Sequence, residues 1–188
     1  IEQPLEGVVS ADAAGTFTFD PAGDFQNLAI GETRNVTFSY TATDQHDVTS
    51  NLGVVTITVT GKNDAPLAND QTIFAQEDGD PVGPTAFAGS DIDSDDDGSN
   101  LTYEIVDDLA ETGEGSVTDH GDGTFTFDPG PDFQELSEGS TADVTFTYRA
   151  TDSNDTLSEI DGTVTITVTG VNDDPDAVDN SYLTDKAT

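Results

Sequence analysis

Cysteine is absent from the 188 residues, so neither a disulfide nor a thiolate zinc site can hold the fold, and the redox compartment cannot be read from thiols. Tryptophan is absent too, and most Phe and Tyr alternate toward the apolar side of their segments, which leaves few aromatic platforms for a sugar. No apolar run approaches the length of a membrane-spanning helix. The opening residues IEQPLEGVVS lack the basic and apolar regions of a signal peptide, and the chain reads as an excerpt from something longer. Helical i, i+3, i+4 stripes are missing throughout. The only histidines, His46 and His120, sit in polar turn-like text with no nucleophile motif beside them, and nothing marks one Asp pair as a buried, unequal couple. Catalysis is therefore not expected.

Positive charge is scarce: 4 Lys and Arg stand against 39 Asp and Glu, for a net charge of -35. Such a chain repels nucleic acid and anionic membrane surfaces and gathers cations. Of the acids, 29 are Asp and 10 are Glu. The short Asp side chain suits loops that wrap a hard, oxygen-seeking cation and is disfavoured inside strands. A solvated acidic surface that keeps an extracellular or salt-adapted protein soluble would show the same composition, so position has to decide.

What is present twice decides the architecture. GTFTFDPAGDFQNLAIGETRNVTFSYTATD from Gly15 returns as GTFTFDPGPDFQELSEGSTADVTFTYRATD from Gly123, an offset of 108. One inserted residue then makes the offset 109, pairing VVTITVTGKNDAP from Val54 with TVTITVTGVNDDP from Thr163. A period of that size is domain-sized and too long for a solenoid repeat, so each copy is expected to carry its own core.

Strict alternation runs through both copies. Val36, Phe38, Tyr40 and Ala42 oppose Thr37, Ser39 and Thr41, and Val55, Ile57 and Val59 oppose Thr56, Thr58 and Thr60, as in antiparallel sheets with one wet face. In the fully represented copy, strands are expected near 71–76, 85–88, 101–106, 115–119, 124–127, 143–151 and 163–169. Its core should comprise Ile73, Phe87, Leu101, Tyr103, Ile105, Val117, Phe125, Phe127, Val144, Phe146, Tyr148, Val164, Ile166 and Val168. The expected fold class is all-β: tandem immunoglobulin-like Greek-key β-sandwiches, the first incomplete at its N-terminus because Gly7 aligns with Gly115. The divisions fall at 1–63, 64–173 and 174–188, the last stretch aligning with the opening strand of a further unit.

The acids cluster in loops expected to meet between units. In GSDIDSDDDGSNLTYE, Asp93, Asp95, Asp97, Gly98 and Glu104 satisfy the string of an EF-hand loop, but LTYEIV reads as a strand with Glu104 on the face opposite Leu101, Tyr103 and Ile105. A calcium loop of another geometry and a merely solvated acidic loop both remain open. For Asp20 and Asp128, each just before a proline, turn formation is the stronger reading. A cage of Asp, Asn and backbone oxygens drawn from separate loops suits calcium, which takes about six to eight oxygens, better than the smaller octahedral magnesium.

TATDQHDVTSNLGVVTITVTGKNDAP, its echo TVTITVTGVNDDP and SDIDSDDDGSNLTYEI together resemble a cadherin repeat. GTFTFDP, the DF block, Gly-Glu-Thr before the VTF strand and the TVTITVTGxND ending are similar, more closely, to VCBS-type and bacterial cadherin-like repeats of large secreted adhesins, including those of RTX export systems. The resemblance implies Ca2+ held between successive units. Carried onto this chain it implies Asn63 and Asp64 of the linker, Asp91 and Asp93, Asp152, Glu77 of the first strand, and Asp24 of the upstream unit. Asp95 and Asp97 join them as acids of the same loop, and Asp132, Asn172 and Asp173 are implied for an incomplete site at the far end. Gly61 and Gln26 stand where the pattern has acids, so fewer ions are implied than a vertebrate cadherin holds. The function implied is that of a calcium-stiffened extender repeat of a bacterial cell-surface adhesin, extracellular, serving adhesion or biofilm attachment. Its partners would be neighbouring repeats and a cell-surface or matrix ligand. The alternative is a calcium-dependent module that binds carbohydrate or protein.

Overall fold

The computed structural model describes residues 1, 3–96, 98–109, 114–175, 177 and 179–181. Among them every regular element is a strand. Four precede the linker: β1 (Val8–Ala11), β2 (Phe17–Asp20), β3 (Thr33–Tyr40) and β4 (Gly53–Thr60). Nine follow it: β5 (Leu67–Ala68), β6 (Gln71–Gln76), β7 (Val82–Ala86), β8 (Gly89–Ser90), β9 (Thr102–Asp107), β10 (Ser116–Asp119), β11 (Thr124–Asp128), β12 (Thr141–Thr151) and β13 (Gly162–Thr169).

The second group makes a sandwich of a four-stranded sheet in the order β6-β13-β12-β9 and a three-stranded sheet in the order β10-β11-β7. Alternation drives it. Val164, Ile166 and Val168 are fully buried on one side of β13 while the intervening threonines keep contact with water. Across the gap, Phe125 of β11 meets Phe146 of β12 edge-on at 5.1 Å between centroids. Ten of the core positions expected from the pattern are buried, and Ile73, Tyr103, Ile105 and Val117 pack partly buried against them. Phe133, in a loop rather than a strand, also joins this core. Strand β6 pairs in parallel with β13, from Gln71 opposite Val164 to Gln76 opposite Thr169. The expected strand at 85–88 lies instead at Val82–Ala86, across Pro84. That is tolerated because β7 is an edge of its sheet, where a missing N–H breaks no ladder, and its register with β11 shifts between Phe125 and Phe127.

The first group repeats the text of the second but not its burial. β1 pairs with β2 and β3 with β4, around a small cluster of Phe25, Leu28 and Val36. Tyr40 is 44% exposed and Phe17 47%, whereas their counterparts Tyr148 and Phe125 are at 0%. The difference lies in what covers them. Tyr148 packs against Phe87 at 4.7 Å and Tyr103 at 5.9 Å, from a stretch (residues 64–109) with no counterpart among residues 1–63.

The Tyr148 hydroxyl donates to the carbonyl of Ala88 at 2.7 Å and reaches the carbonyl of Asn69, so one phenol ties β12 to the loops flanking β5 and β8. Burial is the main cause that pushes this phenol up to about 12. A raised value means the neutral form is favoured in the fold: its contribution is complete below the ordinary tyrosine pKa and is lost as pH rises through about 12. Absorbance titration of the tyrosines should therefore show a step delayed to about pH 12 that vanishes in Tyr148→Phe. That variant should melt earlier, by about 1–3 kcal/mol of stability, because the carbonyls of Asn69 and Ala88 lose the one hydroxyl proton they share.

Candidate metal centre

Three segments converge at the end of the sandwich nearest the first group of strands. The linker leaves β4 and runs through Asn63 and Asp64 to Pro66, which is buried. The loop after β8 carries Asp91, Asp93 and Asp96, and Asp152 opens the turn after β12. The loop and the turn are each fixed by their own Asx-type hydrogen bonds. Asp91 Oδ1 accepts from Asp93 N at 2.9 Å, and Asp152 Oδ1 accepts from Asn154 N at 2.8 Å and Thr156 N at 2.7 Å. Asp44, the counterpart of Asp152, makes the same turn with His46 N and Val48 N.

Cross-links then join the segments. Asn63 Nδ2 donates to Asp152 Oδ2 at 2.7 Å and Thr156 Oγ1 at 2.9 Å, Asp64 N donates to Asp93 Oδ2 at 2.7 Å, and Ser153 donates through N and Oγ to the two carboxylate oxygens of Asp96. Asp91, Asp96 and Asp152 each bring a carboxylate oxygen within 4.8 Å of the others, and Asp93, Asp96 and Asp152 are almost wholly buried. At an effective dielectric of about 20, each such carboxylate pair repels by roughly 3 kcal/mol. Beside this cluster, Asn63 Oδ1, Asp91 Oδ2 and Asp93 Oδ1 are buried oxygens without a hydrogen-bond partner. They can only accept, and a buried acceptor left alone is costly.

The charge states differ. Burial, reinforced by Asp64, Asp91 and Asp95, raises the Asp93 carboxyl above the ordinary range despite the N–H of Asp64. Burial acts in the same direction on Asp152, but hydrogen bonds from Asn63, Thr156 and Asn154 together outweigh it and hold Asp152 below the ordinary range.

Of the residues named from the sequence, Asn63, Asp64, Asp91, Asp93 and Asp152 meet at this end. Asp95 is exposed and Asp97 lies outside the described residues. Glu104 is exposed on β9, and no helix flanks the loop, so the EF-hand string has no EF-hand around it. Asp24 spends Oδ2 on Gly7 N at 2.7 Å, as Asp132 does on Gly115 N at 3.0 Å, and both are exposed. Glu77 is not with Asn63 and Asp64. It sits at the opposite end of β13, where its N–H bonds Thr169 O and its Oε1 accepts from Val171 N at 2.6 Å, next to Asn172 and Asp173. Its Oε2 is buried without a partner. The sequence reading missed Asp96 as a member of the cluster, since within a run of three aspartates no spacing singles it out; only the Ser153 anchor does.

Gly61, the departure from the cadherin pattern, has a steric cause. A Cβ there would stand 2.2 Å from Leu28 O and 2.3 Å from Ala29 O, and at Gly170 it would stand 2.4 Å from Ser137 O.

A family model for the bacterial cadherin-like domain matches residues 63–170, and the chain belongs to that family. No curated protein matches it. Among solved structures it is similar to protocadherin gamma B7 extracellular cadherin domains 1–4 (18% identity, TM-score 0.47, covering 92% of this chain and 41% of that one). It is also similar to protocadherin gamma C5 EC1-3 (16%, 0.48, 90% and 53%) and mouse cadherin-23 EC22-24 (14%, 0.46, 90% and 51%). The chain thus spans about half the length of these structures or less. The all-β, cadherin-like sandwich is therefore the fold of this chain.

Replacing Gly61 by Asp, which would restore the cadherin linker acid, should destabilise the chain by about 1–3 kcal/mol through overpacking instead of adding a ligand. Thermal melting in the presence and absence of calcium measures this: a variant as stable as the parent would contradict the close approach.

Proposed function

We propose that the chain is a calcium-stiffened extender repeat of a bacterial cell-surface adhesin. The observation that carries this reading is the set of three partnerless buried oxygens, Asn63 Oδ1, Asp91 Oδ2 and Asp93 Oδ1, beside the carboxylates of Asp96 and Asp152. Oxygen donors drawn from a linker, a loop and a turn fit a hard cation with a large, adaptable shell, and calcium is the ion with that requirement. The ion would be held by Asn63, Asp91, Asp93, Asp96 and Asp152, with Asp64 and the upstream Asp24 close in the pattern. It would supply the positive charge that the cluster lacks. Glu77, Asp132, Asn172 and Asp173 would form the corresponding site toward a following unit.

On this reading residues 1–63 are the closing part of one repeat, 64–173 a whole repeat and 174–188 the start of another. The chain is a structural adhesion module, neither an enzyme nor a nucleic-acid binder, and acts outside the cell. A VCBS or RTX adhesin serving surface or biofilm attachment is the setting that agrees with its repeated text. No described helix is long and apolar enough to cross a membrane. A second reading, a module that binds its ligand at the junction, has one observation in its favour. Leu67, Ile92 and Ile160 are exposed around a groove of about 460 Å³ that Asp64 and Asp91 also line.

Calcium titration by isothermal calorimetry should give binding in the range of about 10⁻⁴–10⁻³ M usual for extracellular modules, weakened at least tenfold by Asp93→Ala or Asp96→Ala and little changed by Asp107→Ala. Equal losses in all three would make the acids a diffuse cloud. Millimolar calcium should raise the melting temperature, and small-angle scattering should broaden after chelation. An ion-indifferent melting curve and an unchanged scattering profile would remove the extender reading.

A further inference from the structure

The loop that carries Asp91, Asp93 and Asp96 is also gripped from the upstream strands. Ser94 donates its hydroxyl to Glu32 Oε2 at 2.6 Å and its N–H to Asn27 O at 3.2 Å. Glu32 is tied to the linker as well, because its carbonyl accepts from Gly61 N at 2.8 Å, just ahead of Asn63 and Asp64. One residue of the upstream unit thus fixes both strings of ligand oxygens: the linker through its backbone and the Asp loop through its side chain. The Glu32 carboxylate is held in turn by Ala29 N at 3.1 Å.

The internal repeat separates the general part of this arrangement from the specific part. At the far end Gly170 N donates to Ser140 O at 2.8 Å, and Gly139 N to Gly170 O at 3.0 Å, so the backbone frame is the same. Position 140 is serine, however, so no carboxylate stands at the place of Glu32 in the second copy. The carboxylate that makes the strut is thus present in the first copy and replaced in the second.

We propose that Glu32 is a positioning residue for the junction site: through Ser94 it sets the Asp91–Asp96 loop in its ligating arrangement before the cation arrives, so that the upstream unit tunes the cation affinity of the downstream one without contributing a ligand. This rests on the reading of the cluster as a cation site. Preorganisation lowers the ordering cost of binding, and the loss of a hydrogen-bonded strut appears as weaker affinity.

Isothermal calorimetry of the full chain with calcium chloride tests it. Glu32→Ser, which copies the far junction, and Ser94→Ala should each weaken calcium binding about threefold to tenfold. Glu32→Gln keeps an oxygen acceptor without the charge and should bind within about twofold of the parent. Melting curves of the chelated variants check that each is folded. An affinity in Glu32→Ser and Ser94→Ala equal to that of the parent overturns this inference and leaves the cation reading standing. So does an equal loss in Glu32→Gln, which would assign the effect to charge alone. No calcium binding by the unaltered chain would remove the cation reading and this inference together.

Discussion

Carboxylates crowded into a buried corner, without an ion pair to a basic side chain among the described residues, are the constraint around which this chain is arranged. The sequence holds four basic residues. Arg34 pairs with Glu6, Arg149 pairs with Asp161, Lys62 is exposed on the linker beside Asn63, and Lys186 lies outside the described residues. What holds the corner together is backbone geometry: each acid spends part of its acceptor capacity on backbone N–H groups of a turn or of a neighbouring segment, and that fixes where the remaining oxygens stand. The Asp152 turn leaves the sandwich at the end of β12, the Asp loop leaves the short β5–β8 pair, and the linker leaves β4 of the first group.

The two copies show which parts of the sequence serve the frame and which serve a place in the chain. The Asp44 and Asp152 turns, the bonds from Asp24 to Gly7 and from Asp132 to Gly115, and the close backbone approach at Gly61 and Gly170 recur in both. Tyr40 and Tyr148 share their text yet differ in burial, since burial belongs to the neighbours a residue meets and not to the residue. Glu32 and Ser140 differ in text on the same backbone, and the Glu32 carboxylate reaches Ser94 across the linker.

Strand positions and the inward faces were legible because period-two alternation is a local property, repeated here in two copies. Asn63, Asp64, Asp91, Asp93 and Asp152 were legible as a group through a motif whose members are fixed by the ends of strands. Glu77 was misplaced for a physical reason. It is only a short distance in sequence from the linker, but six residues of β6 intervene, and an extended strand of that length spans about 20 Å. The strand carries Glu77 to the far end of the sandwich. β7 was shifted because proline reads as a break, and whether a strand is an edge cannot be known before the sheet is assembled. Asp96 and the Glu32 strut depend on side chains meeting across loops, and no local pattern records such meetings.

The parallel pairing of β6 with β13 determines how the repeat responds to mechanical load. The opening strand enters the unit at Gln71, opposite Val164, and the closing strand leaves it at Thr169, opposite Gln76. Tension applied through the chain on either side of the unit therefore pulls these two neighbours past each other along their common axis. The hydrogen bonds of the ladder share that force and must fail together, whereas a hairpin pulled from its open end would unzip one bond at a time. Resistance to such a pull is governed by the rate of crossing the unfolding barrier, so the strand order by itself makes the unit suited to bearing tension.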